Sequence, residues 1–163
     1  MAFEREPKEF EEKVIAIDRV TRVVKGGRRF RFRSTVVIGD GNGRVGVGVG
    51  KGGEVQSSIA KAVAKAKRDM ITVPLVNRTI PHEIEVRYSG ARVLLKPASQ
   101  GTGVIAGGAI RNVVEIAGIH DLLSKSLGSS NKVNNAYATI EALKQLRAVA
   151  ARKAVSAAKK EDK

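Results

Sequence analysis

Arg29 to Gly50 reads RFRFRSTVVIGDGNGRVGVGVG, and these 22 residues decide the fold. A β-strand has a period of two, so Arg29-Phe30-Arg31-Phe32-Arg33 places two phenylalanines on one face and three arginines on the other. Phe30 and Phe32 are therefore expected on the core side, and the arginines toward solvent. The run continues through Thr35-Val36-Val37-Ile38 and meets Gly39-Asp40-Gly41-Asn42-Gly43. Asp-Gly and Asn-Gly both favour positive φ, which makes this a hairpin turn. The return strand, Arg44 to Gly50, alternates Val45, Val47 and Val49 with Gly46, Gly48 and Gly50. A face made of glycines lets another element approach the backbone closely.

Working outward, the Val/Ile/Thr-rich stretch from Lys13 to Lys25 predicts a preceding strand that ends at Gly26-Gly27. On the other side, a helix is predicted from about Glu54 to Met70. Its apolar stripe is Val55, Ile59, Ala62, Val63, Ala66 and Met70, and a second stripe, Lys61, Lys65 and Arg68, points outward. Three strands and one amphipathic helix make a small α+β domain over residues 13–74, preceded by an acidic segment, 1–12. Pro74 and Pro81 mark a connector over 71–81.

A second unit, 75–147, begins with strands at His82–Tyr88 and Arg92–Lys96. A glycine-rich loop from Gly101 to Gly108 leads into a helix whose core side is Ile110, Val113, Val114 and Ala117, with Gly118 as its C-terminal cap. His120–Leu127 is a candidate strand. Gly128-Ser129-Ser130-Asn131 supplies helix-start chemistry, and the last helix is expected to bury Val133, Ala136, Tyr137, Ile140 and Leu143. Residues 148–163 form an Ala/Lys-rich tail.

The composition narrows the function. The chain has 163 residues and no Cys, which excludes disulfides, Cys-ligated zinc and a thiol nucleophile. Six acids within the first eighteen residues are unlike a secretory signal, and no apolar run is long enough to span a bilayer, so a cytoplasmic protein without membrane contact is expected. The net charge is +14, from 30 Lys+Arg against 16 Asp+Glu. Between Arg19 and Arg68 stand thirteen basic residues and two acids, Asp40 and Glu54, so +11 of the +14 lies in that stretch. A merely solubilising charge would be mixed and spread evenly. A concentrated one points to a nucleic acid.

Several motifs invite a catalytic reading and lose it on inspection. Gly41-Asn42-Gly43-Arg44-Val45-Gly46 matches GxGxxG, but a strand follows it where the dinucleotide fingerprint requires a helix. Gly50-Lys51 lacks the earlier glycine and the following Ser or Thr of a phosphate-cradling loop. His82 and His120 have no companion at metal-ligand spacing. The segment Gly101-Thr102-Gly103-Val104-Ile105-Ala106-Gly107-Gly108 resembles the phosphate loop of small-metabolite kinases related to galactokinase and homoserine kinase. A phosphotransferase is thus the alternative function. Four acids between residues 69 and 120, and no room for a substrate lobe, weigh against it.

Three segments carry a family resemblance: Lys25-Gly26-Gly27-Arg28-Arg29-Phe30, Val37-Ile38-Gly39-Asp40-Gly41-Asn42-Gly43-Arg44-Val45-Gly46, and the Gly101–Gly108 loop. Together they resemble bacterial small-subunit ribosomal protein number five, in order, from about Phe10 to Arg147. The resemblance implies a non-enzymatic ribosomal constituent that needs no cofactor or metal. It implies binding to 16S rRNA, with small-subunit proteins four and eight as neighbours, and a part in assembly and translational accuracy. It also implies a first domain similar to double-stranded-RNA-binding modules and a second, two-layer α/β domain with a left-handed crossover. The Lys25–Arg28 turn is expected near the site of spectinomycin, where the subunit head moves on the body. The candidate RNA-binding residues are Arg19, Arg22, Lys25, Gly26, Gly27, Arg28, Arg29, Arg31, Arg33, Arg44, Lys51, Lys61, Lys65 and Arg68. Gly101, Thr102, Gly103, Gly107 and Gly108 form a candidate anion or RNA contact loop.

Overall fold

The computed structural model describes residues 9–146. Most of the acidic segment, Arg147 and the Ala/Lys-rich tail lie outside the described residues.

The Arg29–Gly50 stretch forms the predicted hairpin, β2 (Gly27–Gly39) paired antiparallel with β3 (Arg44–Gly52). Its tip is fixed by Asp40, whose Oδ1 accepts the N–H groups of Asn42 and Arg44 at 2.8 and 3.0 Å. β1 (Glu11–Val24) pairs along the other edge of β2, with an irregularity between Val14 and Ala16. The expected three strands are joined by a fourth, β4 (Ile71–Thr72), giving the order β1-β2-β3-β4. Two residues are too few for a period, which hides β4 inside the connector.

Alternation gives this sheet two buried faces. On one, Ser34, Val36 and Ile38 lie opposite Gly50, Gly48 and Gly46. Helix α1 (Val55–Arg68) settles directly on these glycines. A Cβ at Gly46, Gly48 or Gly50 would strike the carbonyl of Ala66, Ala62 or Ser58. The residues α1 buries deepest are accordingly small, Ser58, Ala62 and Ala66, while the predicted Val55, Ile59, Val63 and Met70 are only half-buried. Ser34 and Ser58 share a hydrogen bond of 2.6 Å across this contact.

The other face carries Val37, Val45 and Val47, and it packs against the second half of the chain. That half has the sheet order β5-β6-β8-β7, built from β5 (Ile84–Tyr88), β6 (Ala91–Pro97), β7 (Val104–Ile105) and β8 (Leu122–Ser126). The first three strands are antiparallel neighbours, whereas β7 and β8 are parallel and linked through α2 (Gly108–Ile116). β7 emerges from within the glycine-rich loop, another two-residue strand that the local pattern does not reveal. α3 (Lys132–Gln145) starts at Asn131, whose side chain accepts the N–H groups of Val133 and Asn134. Asn is a favoured N-cap for this reason. Gly118 ends α2 at φ +84°, with Gly118 N–H bonded to Glu115 O and Ile119 N–H to Val114 O. Those two bonds are a Schellman closure, which a residue at positive φ completes.

One apolar cluster spans both halves. It joins Val37, Val45, Val47, Val73 and Ile80 to Leu95, Ile110, Val113, Leu122 and Leu143. The β2–β3 turn also docks on the end of α2, where Gly41 N–H and Gly43 N–H donate to the carbonyls of Ile116 and Ala117. The connector is therefore a packed part of the core, since Val73 and Ile80 are buried within it.

Candidate nucleic-acid interface

β1 and β2 are longer than β3. The β2–β3 ladder runs only from Gly39↔Val45 to Phe32↔Gly52, while β1 and β2 stay paired out to Val24↔Gly27. The pairs from Val20↔Arg31 outward thus form a two-stranded ribbon that projects past the sheet. Its turn is Lys25-Gly26, and both are exposed.

Cross-strand partners share a face, so the register sorts the ribbon's side chains. One face carries Arg22 opposite Arg29, Val20 opposite Arg31, and Asp18 opposite Arg33. Arg33 in turn faces Lys51 across β3, which continues the cationic row to the base of the ribbon. The second face carries Arg19, Thr21 and Val23 beside Phe32, Phe30 and Arg28. Phe30 is not in the core, contrary to the sequence expectation. It is 46% exposed, and the Arg19 guanidinium lies over its ring at 3.7 Å from the centroid. Both phenylalanines do share the face expected of them; Phe32 is half-buried, but at Phe30 that face has run past the helix that would cover it.

The candidate residues divide by place. Arg22, Lys25, Gly26, Gly27, Arg28, Arg29 and Arg31 lie together on the ribbon, with Arg19 at its base, all exposed. Arg22, Lys25, Arg28, Arg29 and Arg31 have no acidic partner among the described residues. Arg33 is committed to Asp18, donating from Nε and Nη2 to one oxygen at 3.2 and 2.8 Å. Arg44 lies apart, at the far end of β3, where its Nε meets Asp40 Oδ2 at 2.7 Å. Burial opposes ionisation of Asp40, but hydrogen bonds from the Arg44 side chain and from the N–H groups of Asn42 and Arg44, with the charge of Arg44, hold its carboxyl below the ordinary value. Lys61, Lys65 and Arg68 follow α1 as a separate stripe, with Lys61 and Arg68 exposed and Lys65 half-buried.

The second-half loop belongs to a different surface. Gly107 precedes α2 as its N-cap, with Gly108 the first helical residue. Thr102 bonds back to Ser99 through N–H to O at 3.2 Å and hydroxyl to hydroxyl at 3.2 Å. The N–H groups of Gly101 and Gly103 are taken up by a carboxylate of the chain, Asp121 Oδ1. Sequence reasoning overlooked Asp121, because nothing local marks an acid as the partner of a loop about twenty residues earlier. Among the described residues no group of three or more His, Cys, Asp or Glu could hold a metal, and no helix is long and apolar enough to cross a membrane.

A layered α+β scaffold with an uncompensated cationic ribbon defines a protein built to present a charged surface. Comparison with known families agrees with that class. The model described as "Ribosomal protein S5, N-terminal domain" matches residues 10–74, and "Ribosomal protein S5, C-terminal domain" matches 86–158. The chain belongs to the ribosomal protein S5 family, whose members are structural, non-enzymatic components of the small subunit of cytoplasmic ribosomes.

Proposed function

We propose that this ribosomal constituent binds 16S rRNA chiefly through the β1–β2 ribbon, with Lys51 and the α1 stripe Lys61, Lys65 and Arg68 as flanking contacts. The observation that carries the reading is Arg22 directly opposite Arg29 on an exposed ribbon. Like charges facing each other across a strand pair repel. A row of phosphates between them turns that repulsion into attraction and releases condensed counterions. A ribbon with bulky cations on both faces fits folded RNA by shape and backbone charge, as structured RNA is generally recognised.

The finer functional reading rests on the family to which the chain belongs. Contact at the ribbon tip supports subunit assembly, and it restrains the head of the subunit near the spectinomycin site in a bacterial ribosome, which ties the protein to translational accuracy. The neighbours proposed for the chain in the subunit are small-subunit proteins four and eight.

The test is the salt dependence of binding to 16S rRNA by the intact chain. Replacing Arg22, Arg28, Arg29 and Arg31 with Gln should lower the slope of log K against log salt by about one for each phosphate that is no longer neutralised. Circular dichroism should remain that of the parent. The same slope in parent and variant would place the rRNA contacts elsewhere.

A further inference from the structure

The glycine-rich loop has the outline of a phosphate cradle, yet its donors already have an acceptor. Gly101 (φ +92°) and Gly103 (φ +76°) turn their N–H groups onto Asp121 Oδ1 at 3.1 and 2.9 Å. Backbone N–H groups that converge in such a turn form a concavity for anions. Asp121 is 2% exposed, and its second oxygen, Oδ2, has no hydrogen-bond partner among the described residues. The cation facing that oxygen is Arg78, whose Nε stands 3.6 Å away. Arg78 also holds the backbone of this region, because its carbonyl accepts the N–H groups of His120 and Asp121 at 3.0 and 3.1 Å. A polar cavity of about 400 Å³, lined by Asn77, Arg78, Thr79, Ala98, Gln100 and Asp121, opens beside the carboxylate.

A buried carboxylate with one oxygen unbonded is costly, and packing alone gives no reason for an acid here. Two aligned N–H donors and a guanidinium do give one. We propose that the Gly101–Gly103 turn is an anion site whose resident anion is the chain's own Asp121 carboxylate, and that a small free carboxylate takes the site when that side chain is removed. Asp121 is thus a positioning residue. It draws the loop, the Asn77–Thr79 turn and the start of β8 together, so the loop offers its surroundings a fixed outer surface while its inward donors stay closed to external phosphate. Nothing in this inference depends on how the ribbon meets RNA.

The test is an amide NMR titration of the full chain with formate, using chloride at equal ionic strength as control. In the parent protein the Gly101 and Gly103 resonances should not respond to formate. In Asp121→Ala they should move as their bonds to the carboxylate disappear, and formate, not chloride, should return them saturably toward the parent positions. Asp121→Asn should leave them near those positions, because the amide oxygen can accept both bonds. Unmoved resonances in Asp121→Ala, no recovery with formate, or saturable formate binding at these amides in the parent would each overturn the proposal. If Asp121→Ala does not fold in chloride, recovery of the native spectrum with formate supports the proposal and failure to recover overturns it.

Discussion

At Gly48 one hydrogen atom is all the space allows. A Cβ there would meet the Ala62 carbonyl and the Ala66 nitrogen, both backbone atoms of α1 that no rotamer change can move aside. Gly48→Ala should therefore push the helix off the sheet and lose roughly 1–3 kcal/mol, the usual range for overpacking a tight contact. Gly53 is the matched control, since it precedes the same helix and a Cβ there meets nothing within 4 Å. Gly53→Ala should be neutral or stabilising, by up to about 1 kcal/mol, through the unfolded chain's lost freedom. Urea denaturation of the two variants measures the difference, and equal midpoints would mean that α1 does not rest on the glycines as described.

Among the elements, the ribbon differs most from its surroundings. An isolated two-stranded hairpin is marginally stable in water, and here Arg22 and Arg29 repel across it. Stacking of Arg19 on Phe30 is a partial offset, worth about 0.5–1 kcal/mol at an exposed site. Backbone amides of residues 20–31 should exchange with solvent much faster than those of 35–38 and 45–49, and bound rRNA should slow them. Hydrogen exchange read by mass spectrometry or NMR decides this, and full protection in the free protein would contradict it. The ribbon also shows where local reading ends. Alternation in Arg29–Arg33 assigned each side chain to its face, and Asp-Gly with Asn-Gly assigned the turn. The point at which β3 stops pairing is a property of the partner strand, so the exposure of Phe30 was not legible from its own neighbours. The glycine face of β3 signalled a close approach without naming α1, and the small residues Ser58, Ala62 and Ala66 gave the complementary signal. Of the candidate site, the cluster on the ribbon was legible from charge density, whereas the commitment of Arg33 to Asp18 and of Arg44 to Asp40 needed register and turn geometry.

For the whole molecule, the division near residue 74 separates two family domains that share one apolar cluster, while the first keeps a second, Val36, Ile38, Ala62 and Ala66, to itself. Val37, Val45 and Val47 face the second half, so a fragment of residues 1–74 exposes an apolar face that the full chain buries. We propose two folding units that stabilise each other. Fragment 1–74 should unfold at lower urea than the full chain and recover stability when 75–163 is added. Equal midpoints for fragment and full chain would show that the shared cluster contributes nothing. The same docking gives β2 a further meaning. Its thirteen residues run without a break from the ribbon turn to the hydrogen bonds at the end of α2, a reach of roughly 40 Å at about 3.3 Å per residue. Such a strand works as a gauge block. Once a partner orders the ribbon, whatever grips its free end is held at one set separation from the end of α2.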